Sequence, residues 1–170
     1  YFGSIQGSKW TEKEFTTSKG DRIIAKGTSQ RLRGRSQLGL RYTKIILDDF
    51  ESELNTKTPD RRREIKEWVM STVEPALENS KGNEGSIWLI GTIVHYDSFL
   101  QSIYDGYVEA ERDKRSYAWD VIYHKAIDAD GTVLWPSYFS KEKLLDIRRR
   151  FEDVGLAHKF AQEYLNEARD

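Results

Sequence analysis

The sequence predicts an α/β domain, and three observations predict it. Lys44-Ile45-Ile46-Leu47 and Ser86-Ile87-Trp88-Leu89-Ile90-Gly91-Thr92 are short apolar runs of strand length, rich in β-branched residues. Between them, Thr58-Pro59-Asp60 announces a helix, with Thr as N-cap, Pro at the first helical position and an acid in the first turn. Ile65, Trp68, Val69, Thr72 and Val73 then recur at helical spacing and give that helix one apolar face. Strand, helix, strand is a βαβ unit, so both strands run parallel and end at the same edge of a sheet. Ligands of open α/β sheets bind at that carboxyl edge.

Length and composition set the limits. A chain of 170 residues is enough for one domain with a substantial core. Hydrophobic residues at 38%, charged residues at 32% and five Trp describe a globular chain rather than a disordered one. The absence of Cys excludes disulfides, thiolate catalysis and Cys-based zinc sites. No apolar run approaches the 18 residues of a membrane span, so no membrane association is expected. Net charge is −1, but residues 1–50 hold ten Lys/Arg against five Asp/Glu, which leaves −6 for the remainder. A basic N-terminal stretch suits a polyanion, either nucleotide phosphate or nucleic acid, and equally suits a solvated face. The chain begins at Tyr1 without Met, and its first residues read as mid-domain sequence, so a fragment is expected.

In chain order, residues 1–20 place Tyr1, Phe2, Trp10 and Phe15 among Gly, Ser, Thr and Lys, with little helical period. Ser18-Lys19-Gly20-Asp21 is a turn, and a β-hairpin joining residues 12–17 to 22–26 is expected. Gln30-Arg31-Leu32-Arg33-Gly34-Arg35-Ser36 follows as an arginine-dense loop, either solvated or in contact with phosphate, because guanidinium forks match phosphate oxygens. Pro75 falls near the end of the first helix, and residues 79–85 read as a loop. Asp97 is the expected N-cap of a helix carrying Phe99, Leu100, Ile103 and Tyr104. Residues 118–127 read as a third strand, ending at the turn Asp128-Ala129-Asp130-Gly131. Ser140 would cap a helix containing Leu144, Leu145, Ile147 and Phe151; Gly155 ends it, and residues 157–168 make a last helix with Phe160, Ala161, Tyr164 and Leu165 inward.

The chemistry-bearing stretch is Ile45-Ile46-Leu47-Asp48-Asp49-Phe50-Glu51. Three carboxylates within four residues repel one another, and a divalent metal is the usual agent that offsets the cost. An apolar strand ending in two acids is the Walker B pattern of P-loop NTPases, in which one acid serves Mg²⁺ and the next polarises the attacking water. Asp48 is then the metal residue, with Asp49 or Glu51 as the catalytic acid. An acidic loop after an ordinary strand is the plain alternative. Thr92 ends the second strand beside Gly91, where a hydroxyl can sense phosphate or water; the alternative is an ordinary β-residue. Among Arg31, Arg33, Arg35 and Arg41, one is a candidate arginine finger and the rest are candidates for phosphate or DNA contact. The three His lack metal-site spacing, and no role is assigned to them.

These motifs, in their order, resemble the large terminase subunit of tailed bacteriophages, the ATP-driven motor that packages DNA into the procapsid. The resemblance runs nearly end to end. It rests on Gln30–Gly34, on Ile45–Glu51, on Ile87-Trp88-Leu89-Ile90-Gly91-Thr92-Ile93-Val94-His95-Tyr96-Asp97-Ser98, on Lys125-Ala126-Ile127 with Leu134-Trp135-Pro136, and on Phe160-Ala161-Gln162-Glu163-Tyr164-Leu165-Asn166. It implies that residues 1–170 are the latter part of a P-loop NTPase domain of the additional-catalytic-acid class, a sheet with flanking helices whose N-terminal part is missing. It implies ATP and Mg²⁺ as cofactors, Asp48 and Asp49 as the Walker B pair, Gly91-Thr92 as the coupling motif, and Arg33 as the arginine donated across the ring. The implied partners are viral double-stranded DNA, the portal protein, the small terminase subunit and further copies in a homo-oligomeric ring. The implied location is the host cytoplasm, at the procapsid portal. No G-x-x-x-x-G-K-[ST] occurs in these residues, so the phosphate loop is expected upstream, and the family's nuclease domain after Asp170. The fragment alone is then expected to be inactive. Two other readings stand beside this one. One is a two-metal nuclease using Asp48, Asp49 and Glu51 with help from Asp120 and Asp128; the other is a non-enzymatic DNA-binding module.

Overall fold

The structure, a computed structural model, describes residues 6–27 and 41–168. The chain divides into two compact units, Tyr1–Arg35 and Ser36–Asp170. Its described residues form a mixed α/β arrangement of small sheets and four α-helices.

The first unit is a three-stranded antiparallel sheet of β1 (Gln6–Trp10), β2 (Glu14–Thr17) and β3 (Arg22–Ile24), in that order. The expected hairpin is there, with Phe15 opposite Ile23. Its turn needs Gly20, whose φ of 91° lies where other residues are strained. β1 is additional. Its sequence Gln-Gly-Ser-Lys-Trp carries no alternation of apolar and polar residues, so nothing in it marks a strand. Gly7 is what lets it pair closely: a Cβ there would lie 2.5 Å from the carbonyl oxygen of Thr17. Glu14 binds all three strands together, with Lys9 at 2.8 Å and Arg22 at 2.7 Å.

The second unit is built around the βαβ unit. β4 (Lys44–Asp48) pairs in parallel with a strand at Ser86–Ile90, from Lys44 opposite Ser86 to Asp48 opposite Ile90. Between them runs α1 (Pro59–Trp68), capped by the Thr58 hydroxyl and continued by a π-turn at Val69–Val73 and a 3-10 turn at Glu74–Ala76. Val69 and Val73, on the expected apolar face, are fully buried. Residues 79–84 are more ordered than a plain loop. They form a hairpin of β5 (Asn79–Ser80) and β6 (Asn83–Glu84), turning at Gly82 with φ 82°; Ser86–Ile90 is therefore β7.

The β4–β7 pair is half-buried rather than buried. Leu47 is 8% exposed, whereas Ile46, Trp88 and Ile90 on the other face are 55%, 53% and 48% exposed. Lys44 lies over the Trp88 ring on that open face, 4.6 Å from its centroid.

α2 (Phe99–Asp113) starts one residue later than expected. Its N-cap is Ser98, whose buried hydroxyl accepts from the Gln101 amide, because Asp97 is drawn away to the basic residues of α1. Phe99 packs edge-on against Phe50 and Trp119. α3 (Lys141–Asp153) is capped by Ser140 as expected, with Leu144 fully buried. It ends in a Schellman turn: Leu156 N–H donates to the Phe151 carbonyl, Gly155 N–H donates to the Glu152 carbonyl, and Gly155 takes φ 74°. α4 (Ala157–Leu165) stops short of residue 168, because Asn166 adopts φ 55° and closes it.

The third strand expected at 118–127 does not form. Its donors turn to the open carbonyls at the end of α4: Ala126 N–H donates to Tyr164 at 2.7 Å, and the Tyr123 hydroxyl donates to Asn166 at 2.8 Å and Leu165 at 3.1 Å. Only the single bridge Ile127–Val133 remains of β pairing there. No helix among the described residues is long and apolar enough to cross a membrane.

Candidate functional site

The parallel register brings the ends of β4 and β7 to one edge. Asp48 is the last residue of β4 and is exposed. Asp49, also exposed, turns the chain with φ 45°, a left-handed conformation that Asp tolerates better than most side chains. Its N–H continues the ladder by donating to the Ile90 carbonyl at 3.0 Å. Gly91 follows β7 directly beneath it: a Cβ on Gly91 would stand 3.6 Å from Asp49 Oδ1 and 3.2 Å from Leu100 Cδ1. Glycine at 91 thus eases the close approach of Leu100, while the Asp49 carboxylate sits at ordinary contact distance. Asp48, Asp49 and Gly91 meet at one edge, and the half-buried Thr92 follows Gly91 beyond the end of β7.

Glu51 belongs to the same turn but faces inward. It is 6% exposed, with Oε1 accepting from Phe99 N–H at 2.7 Å and Oε2 from Leu100 N–H at 2.9 Å. Burial pushes its carboxyl above the ordinary value, while the two backbone donors and the charge of Lys66 pull the other way. Both oxygens are engaged in capping α2 from a distant part of the chain, where the helix dipole also favours a negative charge.

No protein-family model and no curated protein matches this chain.

The loop that carries Thr92 is anchored along its length. Ile93 N–H donates to Asn166 Oδ1 at 2.8 Å, and Asp97 N–H donates to His95 Nδ1 at 2.9 Å. The Asp97 carboxylate accepts from Lys66 at 2.7 Å and Arg62 at 2.8 Å, and these hydrogen bonds hold its carboxyl below the usual range. Arg62 is itself buried and donates onward to the Thr56 carbonyl at 2.8 Å.

The remaining candidates are placed as follows. Arg31, Arg33 and Arg35 lie outside the described residues. Arg41 donates to the carbonyls of Pro75 and Leu77, beyond the first helix. Asp120 lies in the irregular segment that replaces the third strand, and Asp128 in the turn that follows it. Among the described residues, no group of three or more His, Asp or Glu side chains is placed to hold a metal. Mg²⁺ asks for less: it keeps several waters and is bound through one or two carboxylates plus substrate phosphates. Two neighbouring exposed acids at a strand end fit that demand, whereas a two-metal centre asks for more ligands.

Two residues of the site carry little sequence signal. Arg62 sits in the run Arg61-Arg62-Arg63, which reads as a solvated face, yet it is the buried member. Asn166 reads as a helical residue, and only its αL tolerance hints that it closes α4 and bonds elsewhere.

Proposed function

We propose that this chain is the latter part of the ATPase domain of a terminase large subunit, the motor that drives viral double-stranded DNA into the procapsid. The observation that supports it is the parallel β4–β7 pair, with Asp48 opposite Ile90 and Gly91 beside Asp49 just past the strand ends. That edge is where a P-loop NTPase of the additional-acid class carries its Walker B acids. The phosphate loop in this reading lies upstream of these residues.

In this reading Asp48 would hold Mg²⁺, which would supply charge neutralisation to the nucleotide phosphates. Asp49 accepts a hydrogen bond from the attacking water and orients it toward the γ-phosphate. Glu51 has both oxygens engaged by α2, so Asp49 is the acid left to this task. The Thr92 hydroxyl bonds water or phosphate and passes the change in the site along its loop. Arg33 supplies charge to the transition state of a neighbouring subunit in the ring, with Arg31 and Arg35 on phosphate or DNA. The portal protein and the small terminase subunit complete the assembly.

Asp49→Asn in the full-length protein is expected to abolish ATP turnover, read as phosphate release with double-stranded DNA present, while the melting temperature holds. Turnover near the wild-type rate would overturn the assignment.

A further inference from the structure

Besides the Asp97 contacts with Arg62 and Lys66, two hydrogen-bonded ties link the Thr92 loop and the start of α2 to parts of the chain far from them in sequence. Downstream, Glu51 spans the first two amides of α2, and this carboxylate comes from the turn that also holds Asp48 and Asp49. Upstream, one residue after Thr92, Ile93 N–H donates to Asn166 at the end of α4. Ile93 is 4% exposed, so without that oxygen its amide would be a buried donor lacking a partner. Asn suits position 166 for two reasons at once: φ is 55° there, and the side chain must accept.

We infer that Glu51 and Asn166 are positioning residues, which together fix Thr92 relative to Asp49. The inference rests on the proposed ATPase reading and adds to it. Glu51 joins the acid turn rigidly to α2, so α2 cannot shift without moving the acids or breaking two charge-assisted hydrogen bonds. Asn166 fixes the other end of the loop to α4. Thr92 stands just ahead of the Ile93 tie and directly after Gly91, the residue that approaches the Asp49 carboxylate. Displacement by an ångström of a group that orients water costs roughly 100-fold in rate, so loss of either tie is felt in the chemical step and not in nucleotide affinity.

Three variants test this in the full-length protein, with kcat and KM for ATP measured in the presence of double-stranded DNA. Asn166→Gly keeps the αL backbone but removes the acceptor; Asn166→Asp keeps both. Glu51→Gln turns one of the two acceptors into a donor that faces a backbone N–H. Asn166→Gly and Glu51→Gln are expected to lower kcat roughly 100-fold with KM for ATP unchanged, and Asn166→Asp to restore it. Circular dichroism at the assay temperature establishes the folded fraction, and Glu51→Asp replaces Glu51→Gln if the latter does not fold. A folded Asn166→Gly or Glu51 variant with wild-type kcat would overturn the inference, as would a loss confined to KM. Asp49→Asn runs alongside: if it abolishes turnover while the ties prove dispensable, only the positioning fails. If Asp49→Asn turns over normally, the ATPase reading itself fails.

Discussion

Arg62 in α1 and Asp97 before α2 lie 35 residues apart in sequence and 2.8 Å apart in space, a charged contact that joins the crossover helix to the loop after β7. Arg62 is the buried member, and Lys66 one turn later reinforces it on the other oxygen of Asp97. The pair explains why Asp97 does not cap α2. Its carboxylate is worth more opposite two cations than on a helix amide, and Ser98 takes the cap one residue on.

Removing the acid leaves the largely buried Arg62 without its carboxylate partner, although it keeps the Thr56 carbonyl. Asp97→Ala is expected to destabilise the unit by about 2 kcal/mol, the scale of a hydrogen bond to a charged group. Chemical denaturation checks it. Arg62→Met leaves Asp97 in partial contact with water and is expected to cost less. Equal losses in the two variants would show that packing, rather than the stranded charge, sets the cost.

The left-handed backbone at Asp49 separates folding from chemistry at this position. Asn adopts φ 45° as readily as Asp, so Asp49→Asn is expected to melt like the wild type. Asp49→Val should lose about 1–2 kcal/mol from the same conformation. A melting temperature for Asp49→Val equal to that of Asp49→Asn would contradict the strained turn.

The three-stranded sheet carries its own pH response. The hydrogen bond from Arg22, then that from Lys9, lowers the Glu14 carboxyl from 4.5 to about 2. Because the folded value is the lower one, its stabilisation is complete above pH 4.5 and is lost as pH falls through about 2. NMR titration of the Glu14 side chain reads the midpoint directly. In Glu14→Gln, the strand amides of β2 and β3 should lose protection without that acid-side dependence. A Glu14 midpoint near 4.5 would mean that the ion pairs do not form in solution.

The βαβ unit was legible because each piece had its own local signal: apolar runs for β4 and β7, and Thr58-Pro59 for the start of α1. The caps at Ser140 and Gly155 were legible for the same reason. Residues 118–127 were not, since a run of Val, Ile and Tyr says only that the segment is half-buried. The carbonyls at the end of α4 decided what it pairs with, and those lie some way along the chain. β1 escaped notice because its strand character comes from its partner and from the room left by Gly7. At the candidate site, the parallel strand ends bring Asp48 opposite Ile90 and Gly91 beside Asp49. The charge of Glu51 was visible, but its direction was not, because only the arrival of α2 draws it inward.

The parallel pairing of β4 with β7 also sets an order of events. Lys44 meets Ser86 only after everything between them has been reeled in, and α1 is what shortens that distance. Closing a loop costs entropy before the ladder repays any of it, so pairing of this kind comes late in folding. The acid edge has no existence before that moment: Asp49 and Gly91 are strangers on the nascent chain. A ribosome must therefore have released β7 before the acid edge can assemble, whatever has already folded ahead of it.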